Sequence, residues 1–264
     1  MFSFSQVILG QYLPGKSFLH HLEPRTKILG FIIITIGLLG TGHLLVILSY
    51  LVLLSILYLL ASQPFRYIIR SLRPIIWLLL ITSLLHLFFT PGKPLFNLFF
   101  LRITEEGIKQ ACLMGGRLVA LVGFPLLLTF TTSPFNLTDG IRRLLKPLTF
   151  LGLPVQEFSL MMSIALRFIP ILYEEADRIT RAQLSRGADF GRGNLIEGAR
   201  NFIPLFIPLL LCIFRRADEL ALAMEIRAYR SDINRTRMRE LEMKSRDYLT
   251  LILLTLSTVV VYLL

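Results

Sequence analysis

The chain has 264 residues, of which 54% are Ala, Val, Ile, Leu, Met, Phe, Trp, Tyr or Cys and only 17% are charged. A soluble domain has about 45–50% apolar residues on a set that also counts glycine, and about 25% charged. This composition, with a mean hydropathy of +0.67, therefore excludes a soluble enzyme, a disordered tail and a small secreted module, and points to a polytopic membrane protein. The 28 Lys and Arg against 17 Asp and Glu give a net charge of +11. In a membrane protein that excess reads as cytoplasmic loops beside anionic lipid rather than as a nucleic-acid footprint.

The first apolar run is Ile28 to Leu39, followed by a short turn, Gly40 to His43, and a second run from Leu44 to Ala61. A third span is expected from Pro74 to Phe89 and a fourth from about Ile108 to Phe130. The last runs from Tyr248 to Leu264. Each is near the ~20 residues that cross a bilayer, the first borrowing from its flanks. Arg66, Arg70 and Arg73 between spans two and three, with Arg25 and Lys27 before span one, place the N-terminus inside by the positive-inside rule. Five spans then leave the C-terminus outside, and Pro91 to Glu106 outside as well. No basic segment leads into a short apolar one at the start, so no cleaved leader is expected.

Charge concentrates between Pro134 and Arg246, which hold 18 of the basic and 13 of the acidic residues. The sequence thus divides into a four-span part over residues 1–131, a cytoplasmic helical part over 132–246, and a terminal span over 247–264. Thr132-Ser133-Pro134 is a helix start, a hydroxyl cap followed by proline in the first turn. The helix behind it has Ile141, Leu144, Leu145 and Leu148 on one face, with Arg142, Arg143 and Lys146 between them. It is a basic amphipathic helix suited to a membrane surface or a partner groove, ending near Gly152-Leu153-Pro154. A second helix is expected from Gln156 to Ser185, apolar first and charged later, with favourable i,i+4 pairs Glu174–Arg178 and Asp177–Arg181. Gly187 stops it. A third helix repeats the plan: Phe202 to Phe214 is apolar, Arg215 to Glu219 is charged, and the stretch to Tyr229 ends beside an arginine. Val155–Tyr173 and Phe202–Phe214 are apolar enough to compete as spans; the shortness of the second favours five spans over seven.

Several patterns are set aside on their context. Gly10 to Ser17 fits the phosphate-loop pattern, but Pro14 removes an amide, Pro24 follows within two turns, and no strand–helix alternation surrounds it. Glu174-Glu175 is close to a motif of intramembrane CAAX-type proteases, yet Arg178 falls one residue early and the matching histidines are missing. Cys112 and Cys212 sit in apolar runs as small hydrophobes. Arg117 is the one basic residue well inside a span. It is a functional candidate, pairing with a group such as His86 or snorkelling outward. No span carries a cluster of ionisable groups that would build a midplane substrate site.

The ordered set Gly10-Gln11-Tyr12-x-Pro14-Gly15-x-Ser17, His21-x-x-Pro24-Arg25-Thr26-Lys27, Thr132-Ser133-Pro134, Leu137-Thr138-Asp139-Gly140, Ala165-Leu166-Arg167-Phe168-Ile169-Pro170, Ala182-Gln183-x-Ser185-Arg186-Gly187 and Ala223-Met224-Glu225-x-Arg227-x-Tyr229 resembles the transmembrane (T) component of energy-coupling factor transporters. The resemblance spans nearly the whole chain. It implies an all-α membrane scaffold without catalytic residues, metal or cofactor of its own. It implies two cytoplasmic ATP-binding-cassette subunits that bind the ATP, and one membrane-embedded S component that captures a vitamin or a transition-metal ion. The ATPase-docking signatures fall on Ser185-Arg186-Gly187 and Ile226-Arg227-Ala228, the second departing from an Ala-Arg-Gly pattern at both flanks. The resemblance also implies an S-component platform on the apolar helix roots. Leu160, Met161, Met162, Phe168 and Ile169 form a soft, adaptable surface there. Nucleic acid is not an expected partner. The readings of a different class are an intramembrane protease and a membrane-anchored basic protein that binds nucleic acid or lipid with steep salt dependence.

Overall fold

Apolar runs bounded by Pro, Gly and Thr become helices close to where the sequence places them. In the computed structural model, residues 12–13, 15, 17–61, 65–98, 101–152, 154–188, 195–230 and 243–263 are described, with backbone alone at 65–72, 94–98, 101–103, 195–200 and 261–263. The helices are α1 (Phe18–His21), α2 (Pro24–Gly40), α3 (Leu44–Leu60), α4 (Phe65–Phe89), α5 (Glu105–Thr131), α6 (Pro134–Leu145), α7 (Val155–Ser185), α8 (Leu195–Ile226) and α9 (Ser245–Leu263). A 3₁₀ helix, Lys146–Leu151, continues from α6. Gly10, Gln11, Pro14 and Lys16 of the phosphate-loop pattern lie outside the described residues. Its Ser17 hydroxyl faces His20 Nδ1 at 2.6 Å, and only the four-residue α1 follows.

Two helices start well before their apolar runs. α4 begins at Phe65 and carries Pro74 inside it. α8 begins at Leu195, ahead of the apolar stretch from Phe202. The stretch expected as an outside loop forms a small antiparallel hairpin, β1 (Pro94–Leu98) with β2 (Leu101–Thr104), pairing Asn97 with Arg102 and Leu98 with Leu101. The hairpin also begins α5. The Thr104 hydroxyl accepts from Gly107 N at 3.0 Å, and Glu106 Oε2 accepts from Lys93 N at 2.8 Å. Two acidic residues in that first turn suit the positive end of the helix.

Among the described residues, α5 and α7 are long and apolar enough to cross a membrane; α3 and the Arg73–Phe89 part of α4 are shorter apolar helices. α7 contains Val155–Tyr173, the stretch that competes as a span in the sequence, although the five-span count places it on the cytoplasmic side.

The chain forms two compact units. One holds residues 10–144 and 240–264. Its core includes Ile34, Leu38, Tyr50, Leu54, Ala120, Phe124 and Phe130. Close approach of α3 to α5 depends on Gly123: a Cβ there would lie 2.5 Å from Leu54 Cδ2, and Tyr58 donates its hydroxyl to the Gly123 carbonyl at 2.9 Å.

Where α2 and α9 begin, one buried carboxylate ties them together. Asp247, 4% exposed, accepts from Glu23 N at 2.9 Å and Thr26 Oγ1 at 3.3 Å through Oδ1, and from Lys244 N at 2.9 Å through Oδ2. A single side chain thus satisfies donors at two helix N-termini, where a negative charge is favoured. Beside it Glu23 pairs with Arg25 at 2.7 Å. Burial raises the Glu23 carboxyl above the ordinary carboxylate range, Arg25 opposes this, and the Asp247 charge adds to it. Lys27 Nζ donates to the Thr131 carbonyl at 2.9 Å and to Thr132 Oγ1 at 3.1 Å, a cation at the C-terminal end of α5.

Arg117 does the same for α2. Its Nη2 donates to the carbonyl of Thr41, the residue that caps α2, and Nη1 lies 3.8 Å from Met114 Sδ. The partner is therefore a backbone carbonyl in the α2–α3 turn, not His86. A guanidinium inside the apolar stretch is held by a carbonyl that the end of a helix leaves free. Arg117→Met is expected to lower stability in detergent by about 1.5–3 kcal/mol, the scale of a hydrogen bond to a charged group. Unchanged unfolding together with lost activity would instead place Arg117 in the working machinery.

The second unit is built on Leu145–Arg239 and contains the 3₁₀ helix, α7 and α8. α7 and α8 pack on each other. Within α7, Arg178 pairs with Glu175 at 3.4 Å rather than with Glu174, and Arg181 pairs with Asp177 as the spacing predicts. Both arginines are largely exposed, so these pairs add little stability.

Candidate docking site on the long helices

α7 runs for 31 residues and α8 for 32, about 46 and 48 Å at the helical rise. Both ends are built alike. At α7, Gly187 N donates to the Leu184 carbonyl at 3.0 Å and Ala188 N to the Gln183 carbonyl at 3.0 Å. At α8, Ala228 N donates to the Glu225 carbonyl at 2.8 Å and Tyr229 N to the Met224 carbonyl at 2.9 Å. Each is a Schellman motif, which requires a left-handed residue just past the helix. Gly187 has φ +85° and Ala228 has φ +49°. Thus Arg186 and Arg227 occupy the same position, the cap between the last helical residue and the left-handed one. Both are exposed.

The departure of the second signature therefore leaves its backbone geometry unchanged. Its cost lies in Ala228, because an L residue in the left-handed region is disfavoured by about 1–2 kcal/mol. Ala228→Gly is expected to stabilise the end of α8 by about 0.5–1 kcal/mol after the extra backbone freedom of glycine is counted. No atom lies within 4 Å of where a Cβ would sit at Gly187, so Gly187→Ala meets no clash and loses about the strain alone, ~1 kcal/mol. Amide hydrogen exchange at the two helix ends reads both changes; equal rates in all variants would show that the motif is not held in solution.

Ser185, Arg186 and Gly187 thus form one exposed tip, and Ile226, Arg227 and Ala228 another. Ser185 turns inward on its own helix, donating its hydroxyl to the Arg181 carbonyl at 3.0 Å. Ile226, by contrast, is 76% exposed, an apolar side chain beside Arg227 with no counterpart at Ser185.

A proline frees an acceptor where the end of α7 meets α8. Pro208 has no N–H for the Pro204 carbonyl four residues earlier, and that carbonyl accepts from Gln183 Nε2 at 3.3 Å. The end of α7 therefore crosses α8 near Pro204. Arg227 is 23 residues further along α8, about 35 Å at the helical rise. The sequence reading did not single out Gln183 for this crossing; the signal available was the Pro204-x-x-x-Pro208 spacing, which frees a carbonyl.

Of the apolar residues expected on α7 as a platform, Met161, Met162 and Ile169 are exposed, while Leu160 and Phe168 are half-buried. Phe158 joins Met162 and Ile169 on one stripe at helical spacing, and it is exposed as well. On α8 the exposed apolar residues are more numerous and include Phe202, Phe206, Ile207, Leu211 and Phe214. These were visible in the sequence as a run, but not as an outward one.

The CbiQ family pattern, described as a cobalt transport protein, matches residues 15–238. The chain is 46% identical over 252 residues to the energy-coupling factor transporter transmembrane protein EcfT of Thermanaerovibrio acidaminovorans, covering 96% of this chain and 94% of that one. It is 47% identical over 245 residues to EcfT of Clostridium kluyveri, covering 92% and 91%. With EcfT of Streptococcus equi subsp. equi the identity is 40% over 252 residues, covering 95% and 94%. A match of that length, running through both arginine tips and the membrane helices, makes this chain a member of the CbiQ family of energy-coupling factor transporter transmembrane proteins.

Proposed function

We propose that this chain is the non-catalytic scaffold of an ATP-driven importer. Two ATP-binding-cassette subunits dock at the tips of α7 and α8, each tip offering Arg186 or Arg227 to acidic side chains in an ATPase groove. A separate S component carries the cargo, a vitamin or a transition-metal ion, and rests on the apolar roots of the long helices, where Met161, Met162 and Ile169 are exposed. ATP binds the partner subunits, so this chain needs no cofactor. Five helices, α2, α3, α4, α5 and α9, span the cell membrane with the N-terminus inside, and the three coupling helices α6, α7 and α8 belong to its cytoplasmic side.

The observation that carries this reading is the matched construction of the two helix ends, with an exposed arginine at the same cap position in each. Arginine suits such a site because its planar fork meets a carboxylate with two hydrogen bonds. Co-expression with the candidate ATPase subunits and purification in detergent tests it. The wild type should carry two ATPase subunits, and the combined Arg186→Glu and Arg227→Glu variant should carry none while staying monodisperse. Retention of both subunits by that variant would end the docking proposal.

A further inference from the structure

Phe150 is 95% exposed and Leu151 79% exposed. They end the 3₁₀ helix that leads toward α7. The turn that presents them is well formed: the Thr149 hydroxyl donates to the Lys146 carbonyl at 2.7 Å, Gly152 N donates to the Thr149 carbonyl at 3.0 Å, and Gly152 has φ +79°. Covering two such side chains with an apolar phase is favourable, in proportion to the apolar area removed from water.

What covers them is indicated by charge and by connectivity. Residues 140–156 contain Arg142, Arg143 and Lys146 and no acidic residue. Lys146, on the same short helix as Phe150, is exposed. The chain leaves the apolar helix α5 at Thr131, nineteen positions before Phe150, so the turn closely follows in sequence a helix long and apolar enough to cross a membrane. A protein partner builds its affinity on a packed apolar centre ringed by other contacts. Two neighbouring side chains on a tight turn offer no such surface. A lipid headgroup layer needs only an apolar tip and positive charge beside it.

We propose that Phe150 and Leu151 insert into the headgroup–acyl boundary of an anionic membrane leaflet, with Lys146 paired to lipid phosphate, so that the root of α7 is pinned to the bilayer surface. The proposal rests on the membrane placement of the chain and requires neither ATPase nor S component.

The test uses the full chain in lipid nanodiscs without partner subunits. Trp77 is the single tryptophan, so Trp77→Phe with Phe150→Trp gives one probe at the tip. In phosphatidylglycerol-containing nanodiscs its emission should be blue-shifted, quenched by shallow-brominated lipid and protected from aqueous iodide. Adding Lys146→Gln should lower the inserted-to-free ratio about fivefold, the effect of one basic charge at an anionic surface, and should change nothing in pure phosphatidylcholine. A tip that stays water-like and iodide-accessible in anionic nanodiscs overturns the proposal. So does shielding that appears only once partner subunits are added, because the tip is then a protein contact. Neither result bears on ATPase docking, which is read separately by co-purification.

Discussion

Asp247→Ala should lower the unfolding free energy of the chain in detergent by about 2–4 kcal/mol, since it removes two helix caps worth about 1–2 kcal/mol each. The lost acceptors are specific. Glu23 N and Thr26 Oγ1 lose Oδ1, and Lys244 N loses Oδ2. All lie at a site where Asp247 is 4% exposed, so water does not freely replace them. One compensation runs the other way. The Asp247 charge helps to raise the Glu23 carboxyl, and its removal relieves that repulsion. Asp247→Asn separates charge from geometry: one carbonyl oxygen can still accept, while the amide nitrogen cannot serve the other donor. The loss should therefore be about half that of alanine. Denaturant titration with helix content as the readout measures both. Equal stability of the alanine variant and the wild type would mean that α9 is held to α2 by its apolar contacts alone.

Arg186→Glu and Arg227→Glu, taken singly, should each weaken ATPase binding at their own tip by about 2–5 kcal/mol, or about 30- to 5,000-fold, if the ion pair is desolvated in the groove. The tips are far apart on the scale at which substitutions couple, about 7–10 Å, so the two losses should be independent at the level of the sites. Retention of the ATPase pair should nevertheless be cooperative. If the two subunits bind each other, either tip alone keeps the second close, and only the double variant releases the pair. Arg→Lys at either tip should fall between, because a point charge replaces a two-pronged donor. Titration of purified ATPase onto immobilised scaffold gives the affinities. Single variants indistinguishable from wild type would make these arginines ordinary cations at helix C-termini, which the helix dipole already favours.

How much was legible beforehand differs between helices and contacts. The helices α2, α3, α5 and α9 follow their apolar runs within a few residues, because a long apolar run satisfies its own backbone groups as a helix and surrounds them with apolar side chains. Both arginine tips were placed by sequence, Arg186 by the glycine behind it and Arg227 by family resemblance, with its backbone uncertain at Ala228. The hairpin at Pro94–Thr104 was not legible. Its strands are short, and the bonds that frame it, Lys93 N to Glu106 Oε2 and Glu105 N to the Lys93 carbonyl, join residues twelve or more positions apart. The start of α4 was missed for a related reason: three arginines and Pro74 broke the apolar pattern without breaking the helix.

Arg117 and Asp247 show where sequence reading stops. A lone arginine in an apolar run announces that something must satisfy it, yet its partner is a carbonyl 76 residues away at Thr41. Asp247 looked like the polar start of a final span, and its partners at Glu23 and Thr26 are more than 220 residues away. The amino-acid sequence by itself determined the membrane class, the helix content and the two arginine-ended helices, because composition, hydrophobic length and helix-stop residues act locally along the chain. Only the tertiary structure decided which buried charges are held by which backbone groups, that Ala228 adopts the left-handed turn of a glycine, and that the end of α7 meets α8 at Pro204, about 35 Å along the helix from Arg227. The buried charges and the α7–α8 meeting depend on long-range packing and on a carbonyl freed by Pro208, and no local pattern of residues encodes the partner that fills it.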